Sequence, residues 1–162
     1  MAPRKSFEQE LNRLESDMLA MASMVEESIT ESVAALKKRD FRRSRELIAR
    51  DREINKKRFA IEQACLVTIA TQQPMASDLR FLAAILDITS ELERIGDYAK
   101  GISRINLMIG EQPLLKPLID VPVMAEKARS MLHQALDAFI QRDVELAHAI
   151  PLQDDEVDEL YT

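Results

Sequence analysis

The chain has 162 residues, enough for one domain or slightly more around a real core. Only 3 glycines and 4% aromatics, among abundant Ala, Leu, Ile, Glu, Arg and Met, exclude a sheet-rich fold and predict an all-α protein. A net charge of -6 excludes nucleic-acid binding by the whole surface, and the single cysteine, Cys65, excludes an internal disulfide.

In chain order, apolar residues at helical spacing run from about Phe7 to Leu36, with Leu11, Leu14, Met18, Met21, Val25, Ile29 and Val33 on one face. They predict a first helix roughly 45 Å long at ~1.5 Å per residue. Asp40 reads as the N-cap of a second helix carrying Leu47, Ile54, Ile61, Cys65 and Ile69 until Pro74 stops it. A third helix is expected from about Pro74 to Gly110. Pro113 and Pro117 punctuate a linker over 111–119. Asp120 is expected to cap a fourth helix with Pro122 in its first turn, and Asp143 to cap a fifth, which Pro151 should kink or delay. Short turns between long helices imply antiparallel neighbours. The expected architecture is therefore a three-helix bundle over 1–110, the linker, and a helical hairpin over 120–162.

The hairpin repeats the start of the bundle without a gap at an offset of 103 residues. Arg39-Asp40 returns as Arg142-Asp143, and Asp51-Arg-Glu-Ile-Asn55 as Asp154-Asp-Glu-Val-Asp158. Between them Met21 matches Met124, Ile29 Leu132, Val33 Leu136, Ala35 Ala138 and Leu36 Phe139. The hairpin is thus expected to open a second, incomplete bundle. Its apolar face, with Met124, Ala128, Met131, Leu132, Leu136 and Phe139, has no third helix to cover it and predicts pairing of two chains.

Acidic residues stand out on the second and third helices. At ~100° per residue, Asp51, Asn55 and Glu62 lie within about 40° of one another in the middle of the apolar stripe, so they are expected to point inward. On the third helix Arg80, Asp87, Glu91 and Arg94 mark the solvated sector. Glu93 and Asp97 stack on the side of Leu79, Leu82 and Leu86. Exposed, such like-charge pairs cost only about 0.2 to 0.5 kcal/mol; partly buried and unpaired, each ion costs several. Two answers stay open. One is a buried salt-bridge network using Arg58 and Arg94. The other is a metal site with oxygen ligands from both helices around hard or borderline ions.

The run Gln73-Pro-Met-Ala-Ser-Asp78-Leu-Arg80, with Glu91-Leu-Glu93-Arg-Ile-Gly-Asp97, resembles the signature of the PhoU family of phosphate-uptake regulators. The resemblance spans nearly the whole chain and includes the repeat. It implies two three-helix bundles, each with paired E/D-x-x-x-D motifs holding multinuclear iron or zinc clusters, with magnesium or manganese as other candidates. By position, the first set would be Asp51 and Asn55 with Glu93 and Asp97, and the second would begin with Asp154 and Asp158. Glu62, Arg58 and Arg94 are candidates for further ligands or supporting contacts. Two departures stand out. Asn55 replaces an acid, and the helix that would answer Asp154 and Asp158 is absent, a complete second copy needing roughly 50 more residues. The implied role is negative regulation of phosphate uptake and of the phosphate-starvation response, between a phosphate transporter and a sensor histidine kinase.

Other signals are weaker. Glu145-Leu-Ala-His148 is a lone Glu-x-x-His match, where a di-iron oxidase needs two with further helix-borne acids. Met18, Met21 and Met24 read as flexible core filler, and Cys65 as a small core hydrophobe. Arg39, Arg42, Arg43, Arg45 and Arg50 read as a solvated face, or as a docking face for an acidic partner or anionic lipid. No Ser-His-Asp set, phosphate-cradling glycine loop or Cys-x-x-Cys pair is present, so no catalyst is expected. With no signal-peptide pattern and no apolar run of about 18 residues, a cytoplasmic protein is expected.

Overall fold

The computed structural model describes residues 3–161. It comprises α1 Pro3–Lys38, α2 Phe41–Gln72, α3 Ala76–Ile109, α4 Asp120–Gln141, α5 Val144–Ala149, a 3-10 turn Ile150–Gln153 and α6 Asp154–Tyr161. The described residues contain no strand, and no helix is long and apolar enough to cross a membrane.

Helices α1 to α3 pack as an antiparallel bundle, and their buried positions advance in alternating steps of three and four. On α1 the stripe is Leu14, Met18, Met21 and Val25; on α2 it is Ser44, Leu47, Asp51, Ile54, Ile61, Cys65 and Thr68. On α3 it is Leu82, Ile85, Thr89, Leu92, Gly96, Ala99, Ser103 and Asn106. This spacing keeps one seam of each straight helix facing its neighbours. Met18, Met21 and Cys65 are core residues, as their spacing predicts.

The Arg-Asp repeat is a repeated corner. Arg39 and Arg142 both adopt the left-handed region, at φ 57° and 55°. The amides of Arg39 and Asp40 bond the carbonyls of Leu36 (3.2 Å) and Ala35 (2.8 Å); those of Arg142 and Asp143 bond Phe139 (3.2 Å) and Ala138 (2.9 Å). This is the Schellman pattern, which satisfies carbonyls left open at a helix end. Each aspartate then caps the next helix, accepting from the amide of Arg43 or Leu146 at 2.9 Å.

Boundaries shift modestly from expectation. Pro74 ends α2, but α3 begins at Ala76, because Gln73 turns left-handed at φ 45° and the chain needs two more residues to re-enter helix. Asp120 is the first residue of α4 rather than its cap, since Ile119 already has helical dihedrals. Pro151 breaks the expected fifth helix into α5, the 3-10 turn and α6.

The hairpin face expected to lie open is partly covered by the first bundle. Leu136 is 6% exposed within the main core, where Leu132 and Phe139 also pack. The Phe139 ring stacks on Phe81 of α3, centroids 5.5 Å apart. The physical reason is proximity: the linker lets α4 lie along α1, whose flank supplies the missing apolar partner.

Candidate functional site

Asp51 occupies a core position between Leu47 and Ile54, with only 4% of its surface exposed. A lone carboxylate there would carry a penalty of several kcal/mol. The answering charge is Lys100 of α3, whose Nζ donates to Asp51 Oδ2 at 2.5 Å and to Asp97 Oδ1 at 3.3 Å. Asn55, one turn along α2, donates its Nδ2 to the same Asp51 Oδ2 at 3.2 Å. Asp51 Oδ1 is buried and has no hydrogen-bond partner among the described residues.

Packing explains why the two helices meet here. Gly96 faces Ile54, and a Cβ built on it would stand 3.4 Å from Ile54 Cδ1 and 3.8 Å from Val25 Cγ2. A methyl there would sit in ordinary van der Waals contact, so Gly96 marks where α2 and α3 pack against each other. With Ile54 opposite Gly96 and Asp51 opposite Lys100, the antiparallel register brings Asn55 to the level of the Glu93–Asp97 turn. Lys100 lies on the flank of α3 and reaches inward along its methylene stem, its side chain 20% exposed. Its pairing with Asp51 holds its pKa above the ordinary lysine value.

The predicted residues are not all brought together. Asp51 is inside, as expected; Asn55 and Glu93 are half-buried, and the Asp97 side chain is 53% exposed on the rim. The expectation that Glu93 and Asp97 face the core is corrected, because the α3 stripe runs one position earlier, through Leu92 and Gly96. Leu79, which suggested that inward face, is 42% exposed. Arg58 answers Glu62, as the salt-bridge alternative expected, but neither Arg58 nor Arg94 is paired with Asp51 or Asp97. Arg58 pairs with Glu62 at 3.2 Å, two turns along α2 from Asp51, and Arg94 with Glu91 at 3.4 Å. The cation is Lys100, which sequence reasoning missed. The only signal for it was a lysine three residues after Asp97, a spacing common on any helix surface.

Asp154 and Asp158 are exposed on α6. The oxygen donors of the first set suit a hard or borderline ion, and the open Asp51 Oδ1 offers one acceptor to it. Yet among the described residues no group of three or more His, Cys, Asp and Glu side chains converges to hold one. Two carboxylates already share one cation, the ammonium. The described residues thus hold an ammonium, Lys100, between Asp51 and Asp97, with Asn55 beside Asp51, and do not by themselves form a metal cage.

Elsewhere three arginines of α2 are held in ion pairs. Arg43 pairs with Glu31 and Glu46, Arg50 with Glu27, and Arg42 with Glu46. His148 is exposed on the short α5. Cys65 has no accessible surface, and burial pushes its thiol up to about 11.

The family model for the PhoU domain matches residues 18–105 and 121–162. A phosphate-specific transport system accessory protein PhoU homolog of Aquifex aeolicus is 37% identical over 152 residues, covering 94% of this chain and 69% of that protein. The accessory protein PhoU of Escherichia coli is 34% identical over 155 residues, covering 96% and 64%. The chain therefore spans about two thirds of the length of these relatives. The crystal structure of PhoU from Pseudomonas aeruginosa superposes with a TM-score of 0.89 at 32% identity, covering 96% of this chain and 75% of that one. The phosphate transport system regulatory protein PhoU from Streptococcus pneumoniae gives 0.87 at 32%, covering 96% and 73%.

Proposed function

The chain belongs to the PhoU family, and from that premise we propose that it is a non-catalytic accessory regulator of phosphate transport. In this reading it restrains uptake and the starvation response by docking between a phosphate transporter and a sensor histidine kinase. The observation that carries the site is the pair of carboxylates, Asp51 and Asp97, converging on one positive charge between α2 and α3. A bound metal, iron or zinc or else magnesium or manganese, would be held by Asp51 and Asp97 with Asn55 and Glu93 adjoining, and would cross-link the two helices. Asp154 and Asp158 would contribute a second site only if further acids faced them.

The chain's own residues supply the rest. Gly96 packs against Ile54 at the α2–α3 seam, Asn55 orients the Asp51 carboxylate, and Lys100 offsets one of the two carboxylate charges there. Cytoplasmic placement and self-association belong to the same proposal, pairing being left to Met124, Ala128 and Met131, outside the main core. Peripheral membrane contact would draw on Arg39, Arg42, Arg43, Arg45 and Arg50, of which Arg42, Arg43 and Arg50 are in ion pairs with acids.

The test is complementation. In a bacterium lacking its own PhoU and carrying a phosphate-starvation reporter, the chain should lower reporter output in rich phosphate, and Asp51→Ala with Asp97→Ala should not. Equal output with and without the chain sinks the regulatory reading.

A second reading is favoured by Lys100 itself: a metal-free helical adaptor in which the salt bridge is the whole site. It predicts a melting temperature indifferent to chelator, because a metal that binds only the folded chain must raise it.

A further inference from the structure

We propose that the groove between the first turns of α3 and the α4–α5 corner is a docking site for an acidic amphipathic helix of a partner protein. The groove holds about 660 Å3 and is lined mostly by apolar side chains. Ala138 and Ile150 are its buried part, the stacked rings of Phe81 and Phe139 line it, and Val144 on its edge is 63% exposed. A small ligand is held by burying most of its surface, whereas this groove stays open to solvent. An open trough between helices suits another helix, which seats one apolar face and keeps the other in water.

Charge decides which helix. Arg80 of α3 and Arg142 of the corner both line the groove, both are exposed, and neither makes an ion pair or a side-chain hydrogen bond among the described residues. Arg42, Arg43 and Arg50, by contrast, are each held by a glutamate. The acid that lines the groove, Asp143, is already engaged as a helix cap on the Leu146 amide at 2.9 Å. Two open guanidiniums beside an apolar trough fit carboxylates flanking a row of Leu or Phe, since each fork can take a carboxylate through two parallel hydrogen bonds. On a chain of net charge -6 this is a local exception, and it selects an acidic partner over a basic one. The site holds whether or not the chain regulates phosphate transport.

The test is fluorescence anisotropy on the full chain with a labelled helical peptide carrying Leu and Phe on one face and Glu on the other, beside a twin with Lys for every Glu. Wild type should bind the acidic peptide at about 10 μM. Arg80→Glu with Arg142→Asn, asparagine tolerating the left-handed backbone there, should weaken it at least ~tenfold. Val144→Asp should weaken it several-fold, and Arg45→Glu, outside the groove, should leave it unchanged. No binding of the acidic peptide, equal binding of the Lys twin, or full affinity in both groove variants overturns the proposal. The same variants are read by light scattering and by flotation with phosphatidylglycerol vesicles. Self-association or vesicle binding that needs Arg80 and Arg142, with no peptide binding, gives the groove to a second copy or to lipid and overturns the proposal.

Discussion

Asp51 and Lys100 put a full ion pair where the surrounding stripe is aliphatic. Such a pair adds little net stability, but breaking it is costly, since the survivor keeps its desolvation penalty. Lys100→Met should therefore lower the metal-free unfolding free energy by about 3 kcal/mol in urea titrations. Asp97→Ala, on the exposed rim, should cost under ~1 kcal/mol. Cys65 gives a pH-resolved check. Its folded pKa, about 11, lies above the ordinary 9.0, so the neutral thiol favours the folded state below pH 9 and that contribution is lost as pH rises through 11. Iodoacetamide at pH 8 should leave the native thiol unmodified and alkylate it in denaturant. Asp51 was legible in the sequence because Leu47 and Ile54 bracket it at core spacing. Lys100 was not, because nothing local separates a lysine that turns inward from one that stays in water.

At the scale of elements, the repeated corners were readable from composition: an Arg-Asp pair at the end of one apolar run and the start of the next. The side-chain traffic behind the first was not. Arg39 donates to Asn106 Oδ1 at 2.9 Å and to the Gly110 carbonyl, while Asn106 Nδ2 bonds Ser44 Oγ at 2.9 Å and the Ala35 carbonyl at 3.2 Å. Asn106 is fully buried, so Asn106→Leu should cost about 3 kcal/mol by leaving several groups unsatisfied. Asp40→Ala, losing only a cap, should cost about 1 kcal/mol, both read from thermal melts. The same residues explain the misread face of α3. Thr89, Gly96, Ser103 and Asn106 are core positions that an apolar wheel passes over, so of Leu79, Leu82 and Leu86 it is Leu82 alone that marks the fully buried stripe.

For the whole molecule, the helical class and the start of a second unit were legible in the periodicity and the 103-residue repeat. The return of α4 onto the first bundle was not, because no local pattern says which neighbour covers an apolar face. Leu136→Ala should cost 2 to 3 kcal/mol and raise amide exchange in α4 before α1 to α3. Light scattering at micromolar concentration reports whether Met124, Ala128 and Met131 support pairing: a dimer is expected, and a monomer removes that role. The central claim is that facing acids of α2 and α3 hold a cation. It is tested most directly by metal content after dialysis against saturating Mn2+, comparing wild type with a chain carrying Asp51→Ala and Asp97→Ala. At least one equivalent per chain in the wild type and none in the variant is the predicted result; equal content in both would contradict it.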